Sequence, residues 1–84
     1  MHMCELLKKI NKGIQLVTKV DPKTIDADKP IREQIVLDSM QFIGIIAALE
    51  ETLNIEIPTD SMAIDTLNQF YDIILEIYKK ERNA

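Results

Sequence analysis

The chain has 84 residues, of which 46% are hydrophobic and 29% are charged, and its net charge is -4. This length predicts a single domain over residues 1–84. A domain so small leaves little room for a catalytic pocket, so we expect that the chain is not an enzyme. The charged fraction argues against a membrane protein, and the longest uncharged stretch, 39–49, is too short to span a bilayer.

Cysteine content and the N-terminal residues bear on the compartment. Cys4 is the one cysteine, so no intramolecular disulfide can form and a reducing interior suits the chain. Lys8, Lys9 and Lys12 interrupt the first apolar segment, which excludes a signal-peptide pattern there. We therefore expect a cytoplasmic protein.

Charge is distributed unevenly along the sequence. Arg32 and Lys79 bracket 46 residues that contain nine acidic residues and no Lys or Arg. An acidic chain of this kind disfavours binding to a nucleic-acid backbone. The base-free stretch is instead expected to attract basic patches on partner proteins.

Apolar residues at helical spacing predict three main helices. The first covers about residues 4–18, the second runs from Ser39 to about Leu53, and the last is opened by a Thr66–Gln69 capping box. A short fourth helical turn is predicted near residues 60–63. Metal chemistry is not indicated, because Asp26 and Asp28 lack the remaining ligands of an EF-hand.

The tripeptide Asp38-Ser39-Met40 is the candidate functional site. Asp38 is expected to cap the second helix, and Gln41 completes a capping-box pattern. Ser39 is then the first helical residue, exposed beside unpaired N–H groups and the positive end of the helix dipole. That environment favours a phosphate ester on its hydroxyl. The alternative is that Asp-Ser simply starts a helix.

Three segments carry a family resemblance. Residues 35–40, followed by the Glu50-Glu51 pair within 48–51 and by the Ile-Glu-Ile-Pro sequence at 55–58, resemble the acyl carrier proteins, and the similarity extends over about residues 10–78. The resemblance implies a small all-α bundle with three main helices, one short helix and a long first loop between Val20 and Leu37. Ile25, Ile31 and Ile35 are expected to pin that loop to the core.

In function, the resemblance implies 4′-phosphopantetheine attached covalently to Ser39, with Asp38 and Met40 contributing to recognition. The thiol of this group holds cargo as a thioester. The implied partners are a phosphopantetheinyl transferase, a loading ligase and acceptor enzymes, and the protein is expected to be a monomer. Glu50 and Glu51 are not expected to form a catalytic dyad, because adjacent helical residues do not face each other. Electrostatic docking of partner enzymes is instead predicted for Glu50, Glu51 and Glu56.

Three residues differ from the pattern of the fatty-acid carriers and bear on which type of carrier the chain resembles. Val36 stands where glycine is common, and Val36-Leu37 is more similar to the D-alanyl carriers. Gln41 and Gly44 replace acidic residues on the side of the second helix predicted to face partners. We interpret Gly44 as a point where a partner approaches the backbone, with drift at an exposed site as the alternative.

Three questions stay open at this point. The cargo is either an acyl or an aminoacyl group, and the chain is either a carrier or an unmodified helical adaptor. The aliphatic core either shelters the cargo or is simply packed.

Overall fold

A computed structural model of the chain describes residues 3–58 and 64–83. Three helices dominate them: α1 spans Met3–Thr18, α2 spans Ser39–Leu53 and α3 spans Leu67–Asn83. The described residues contain no strand, only one isolated antiparallel bridge between Pro30 and Thr66. The all-α prediction is confirmed. The short helix predicted near 60–63 lies outside the described residues.

The core forms where the apolar stripes of the three helices meet, as their helical spacing predicted. Its buried members on the helices are Leu6, Ile10 and Ile14 from α1, Ile45, Ile46, Leu49 and Leu53 from α2, and Leu67, Phe70, Ile74 and Tyr78 from α3. Phe42 joins α2 to α3, with its ring centroid 6.2 Å from that of Phe70. Burial of these stripes is the main stabilising contribution to so small a domain.

Two glycines set the approach of α1 to α2. A Cβ on Gly13 would lie 3.2 Å from Leu49 Cδ2, and a Cβ on Gly44 would lie 3.3 Å from Val17 Cγ1. These two contacts show that the helices are antiparallel, with the end of α1 beside the start of α2. Gly44 is half-buried against α1 and not fully exposed as expected, so a neighbour that approaches its backbone closely is Val17 of the same chain.

The long first loop is held down as predicted, but it is less irregular than expected. It contains two 3-10 turns, Pro22–Thr24 and Ile31–Glu33. Ile25 and Ile31 are buried in the core, and Ile35 packs partly buried against it. The short turns arise because the prolines preset φ near the start of each turn.

Polar contacts fasten this loop to the start of α3. The amide of Ile31 donates to the Asp65 carbonyl at 2.8 Å, and Asn68 Nδ2 donates to Asp28 Oδ1 at 2.5 Å. Asp26 Oδ1 accepts from the Asp28 amide at 3.0 Å, so both aspartates stabilise loop structure. Among the described residues no group of three or more His, Cys, Asp or Glu has an arrangement that suits a metal ion.

The last helix begins as the sequence indicates. The Gln69 amide donates to Thr66 Oγ1, and the Thr66 amide donates to Gln69 Oε1, both at 3.2 Å, which forms the predicted capping box. Farther along α3, the Tyr71 hydroxyl donates to Asn11 Oδ1 on α1. Burial raises the pKa of Tyr71, and the bond to Asn11 opposes that shift. In the residues described, no helix is both long enough and apolar enough to cross a membrane.

Candidate attachment site

The start of α2 is fixed by the capping box that the sequence predicts. Asp38 has the extended backbone of an N-cap residue, with φ -90° and ψ 175°. Its Oδ1 accepts from the Gln41 amide at 2.8 Å, and Gln41 Oε1 accepts from the Asp38 amide at 3.4 Å. This reciprocal pair satisfies two donors that a helix start leaves open, which holds the first turn in place.

Ser39 is the first residue of this helix and is exposed. Its hydroxyl makes no hydrogen bond to any residue that the structure describes. The capping carboxylate of Asp38 accepts from the Gln41 amide through Oδ1 and makes no hydrogen bond to the serine hydroxyl. The hydroxyl is thus available for modification at the positive end of the helix dipole, where a phosphate group is favoured.

Four large apolar side chains are exposed in the described part of the chain. Val36 is 84% exposed, Met40 83%, Leu16 59% and Ile43 56%. Together we call them the apolar patch. The sequence identified Met40 as a contact residue but missed the other three, although the i, i+3 spacing of Met40 and Ile43 opposite the buried stripe was a usable signal.

The acidic residues predicted to dock partners lie toward the other end of α2. Glu51 and Glu56 are exposed, whereas Glu50 is half-buried and its Oε2 accepts from the Ile57 amide at 2.9 Å. Glu81, which the sequence did not indicate, accepts from the Glu56 amide at 3.3 Å. The side chains of Glu50, Glu56 and Glu81 line one open cleft together with Ile57 and Pro58.

Glu50 therefore has an internal role in addition to its charge. Its carboxylate joins the end of α2 to the segment that follows Asn54, whose left-handed backbone, with φ 55°, ends the helix. A buried or half-buried amide that loses its acceptor is costly, so this carboxylate holds the helix exit.

Beneath the start of α2 lies a small apolar cavity of about 20 Å³. Leu37 and Phe42, which flank the Asp38-Ser39 pair, form part of its wall, and Arg32 lies at its lining with Nη1 bonded to the Ile64 carbonyl at 3.1 Å. A space of this size holds about one water molecule. Among the residues that the structure describes, this space beside Phe42 is too small to hold an acyl chain.

These features define a helical protein that displays an exposed serine, Ser39, at the capped start of its second helix. The family described as the phosphopantetheine attachment site matches residues 8–74. The chain belongs to this family, whose members carry 4′-phosphopantetheine covalently on a serine. The resemblance to carrier proteins is confirmed. No solved structure matches the chain significantly.

Proposed function

We propose that Ser39 carries the 4′-phosphopantetheine and that the protein is an acyl carrier that presents a thioester-bound acyl group to partner enzymes. The observation that supports this most directly is the exposed Ser39 at a helix start capped by Asp38, with a hydroxyl that makes no hydrogen bond to the residues described by the structure. The one other serine of the chain, Ser61, lies outside the described residues and lacks the Asp-Ser-Met context.

The residues of the site fit this group. Asp38 fixes the helix start, and the dipole of α2 stabilises the phosphate that joins the group to the serine. Modification forms a bond between Ser39 Oγ and a phosphorus of coenzyme A, breaks the pyrophosphate of coenzyme A and releases adenosine bisphosphate. The proton of the hydroxyl passes to a base of the transferase. When bound, the group supplies the thiol that holds the cargo.

The surface around Ser39 suits docking of partner enzymes. Met40 and Ile43 provide apolar contact next to the serine, and Glu51 and Glu56 provide exposed negative charge farther away. Such charges accelerate encounters with a basic partner, and this acceleration falls as salt screens them. We include Glu50 among the docking charges, although its carboxylate also holds Ile57.

Intact-mass measurement tests the proposal. Incubation with coenzyme A and a broad-specificity phosphopantetheinyl transferase is expected to add one phosphopantetheinyl group to the wild type. Ser39→Ala is expected to remain unmodified, and Ser61→Ala serves as the matched control that is modified normally. A wild-type chain that stays unmodified would indicate the adaptor alternative, and modification of Ser39→Ala would contradict the site.

The cargo requires a separate measurement. Val36-Leu37 before the Asp-Ser pair resembles the D-alanyl carriers, so an aminoacyl carrier served by a dedicated ligase is the second candidate. The protein purified from its own cells carries its cargo on the thiol, and the mass of that cargo distinguishes an acyl from an aminoacyl group. An aminoacyl mass would replace the acyl proposal without affecting the attachment site.

A further inference from the structure

The apolar patch is not confined to the helix that bears Ser39. Three of its members, Val36, Met40 and Ile43, lie on α2 or within three residues of its start, but Leu16 lies in the last turn of α1. All four side chains are more than half exposed. Large apolar side chains that are exposed near one another can provide an interaction surface.

Gly44 explains why α1 belongs to the same surface. Its missing Cβ lets Val17 Cγ1 approach α2 closely, so the last turn of α1 lies directly beside the second turn of α2. Leu16 and Ile43 are the chain neighbours of this contacting pair, and both are exposed. The close crossing of the two helices therefore places Leu16 of α1 at the end of the molecule that carries Ser39.

We propose that Leu16 is part of the docking surface for the phosphopantetheinyl transferase, so that this enzyme contacts both α1 and α2. The inference rests on the proposed function. The transferase is the required occupant because its active site must reach Ser39 Oγ itself, whereas enzymes that act on the cargo work at the far end of the arm. A standard interface of about 20–30 residues on each side extends well beyond one helical turn.

The residues of this surface indicate what kind of transferase surface would be complementary to it. No charged residue occurs between Asp38 and Glu50, so the first three turns of α2 offer no ionic contact. The complementary area on the transferase is therefore apolar, and its contact with Leu16 removes apolar surface from water. Unlike the electrostatic contribution of Glu51 and Glu56, the contribution of this apolar contact to binding is not screened by salt.

The test is the rate at which the transferase modifies Ser39 in the intact chain, with coenzyme A as the donor. Leu16→Gln makes the side chain polar without adding a charge, and substitutions at exposed positions usually change stability by within about 0.5 kcal/mol. Lys8→Gln, an exposed position on α1 nearer the other end of the helix, is the matched control. Circular dichroism and urea denaturation confirm that both variants are folded.

We expect Leu16→Gln to lower kcat/KM about fivefold to tenfold, as for loss of an apolar anchor at an interface, at both low and high salt. Lys8→Gln is expected to remain within about twofold of wild type. A rate for Leu16→Gln equal to that of the control, or a defect that vanishes at high salt, would overturn the inference. Either result leaves the proposed function intact as long as Ser39 is still modified, whereas an unmodified wild type would refute the function itself.

Discussion

Val17 packs directly against Gly44: a Cβ at position 44 would lie 3.3 Å from Val17 Cγ1 and 3.6 Å from Cγ2. The β-branched side chain of Val17 has few alternative rotamers within a helix, so it cannot move away freely. The glycine is accordingly explained by the approach of α1, and no partner backbone is needed to account for it. An acidic residue at this position would disturb the helix pair before it changed recognition.

Replacement of Gly44 tests this explanation. Gly44→Glu is expected to reduce the free energy of unfolding by about 1–3 kcal/mol, because the added side chain overpacks the crossing against Val17. Ala47→Glu, on the exposed face of the same helix, is the control and is expected to cost within about 0.5 kcal/mol. Urea denaturation measures both values. Equal losses in the two variants would show that the crossing tolerates a side chain at position 44.

The bond from the Ile57 amide to Glu50 Oε2 predicts different roles for two adjacent glutamates. Glu50→Ala removes the acceptor and is expected to destabilise the protein by about 1–2 kcal/mol. Glu51→Ala, which removes an exposed charge with no such bond, is expected to cost within about 0.5 kcal/mol. Urea denaturation gives the stabilities, and hydrogen exchange of the Ile57 amide reports the bond directly. Unchanged exchange at Ile57 in Glu50→Ala would contradict the internal role.

Asp38 is expected to contribute in two separable ways. Asp38→Ala loses the cap and should destabilise the protein by about 1 kcal/mol, whereas Asp38→Asn retains a side-chain oxygen for the Gln41 amide and should keep most of that stability. If the transferase also reads the negative charge, Asp38→Asn will be modified more slowly although it is folded. A normal modification rate for Asp38→Asn would show that the transferase does not recognise the charge of Asp38 and that this residue only caps the helix.

Local sequence patterns predicted most of this fold. The capping residues Asp38 and Thr66 marked two helix starts correctly, because a cap is a contact within four residues of chain. The positions of Gly44 and Glu50 were harder to predict. Their environments depend on Val17 and Ile57, and a distance between helices or across a turn is not encoded in the spacing of a single segment.

The same limit applies to the apolar patch. Met40 was recognised from its neighbour Ser39, but Leu16 joins the surface only through the crossing of α1 and α2. A sequence pattern classifies Leu16 as an apolar residue near the end of a helix and gives no reason to pair it with Ile43. Contacts between distant segments decide which exposed residues share one surface.

The small volume of the cavity beside Phe42 leads to a last prediction, about where the cargo lies. The cavity beside Phe42 measures about 20 Å³, which is room for about one water molecule, so an acyl chain is expected to remain outside the helices. Acetyl and octanoyl forms of the protein should then have the same Tm. Burial of each additional methylene would contribute about 0.8 kcal/mol and raise the Tm of so small a domain by several degrees.

Thermal melts of the two loaded forms measure this difference, and Phe42→Leu provides the comparison. Because Phe42 forms part of the cavity wall, the smaller leucine enlarges this cavity. We expect equal Tm values for the acetyl and octanoyl forms of the wild type, and a higher Tm for the octanoyl form only in Phe42→Leu. A higher Tm for the octanoyl form of the wild type would show that the helices separate to admit the chain, because the cavity of the unloaded protein cannot contain it.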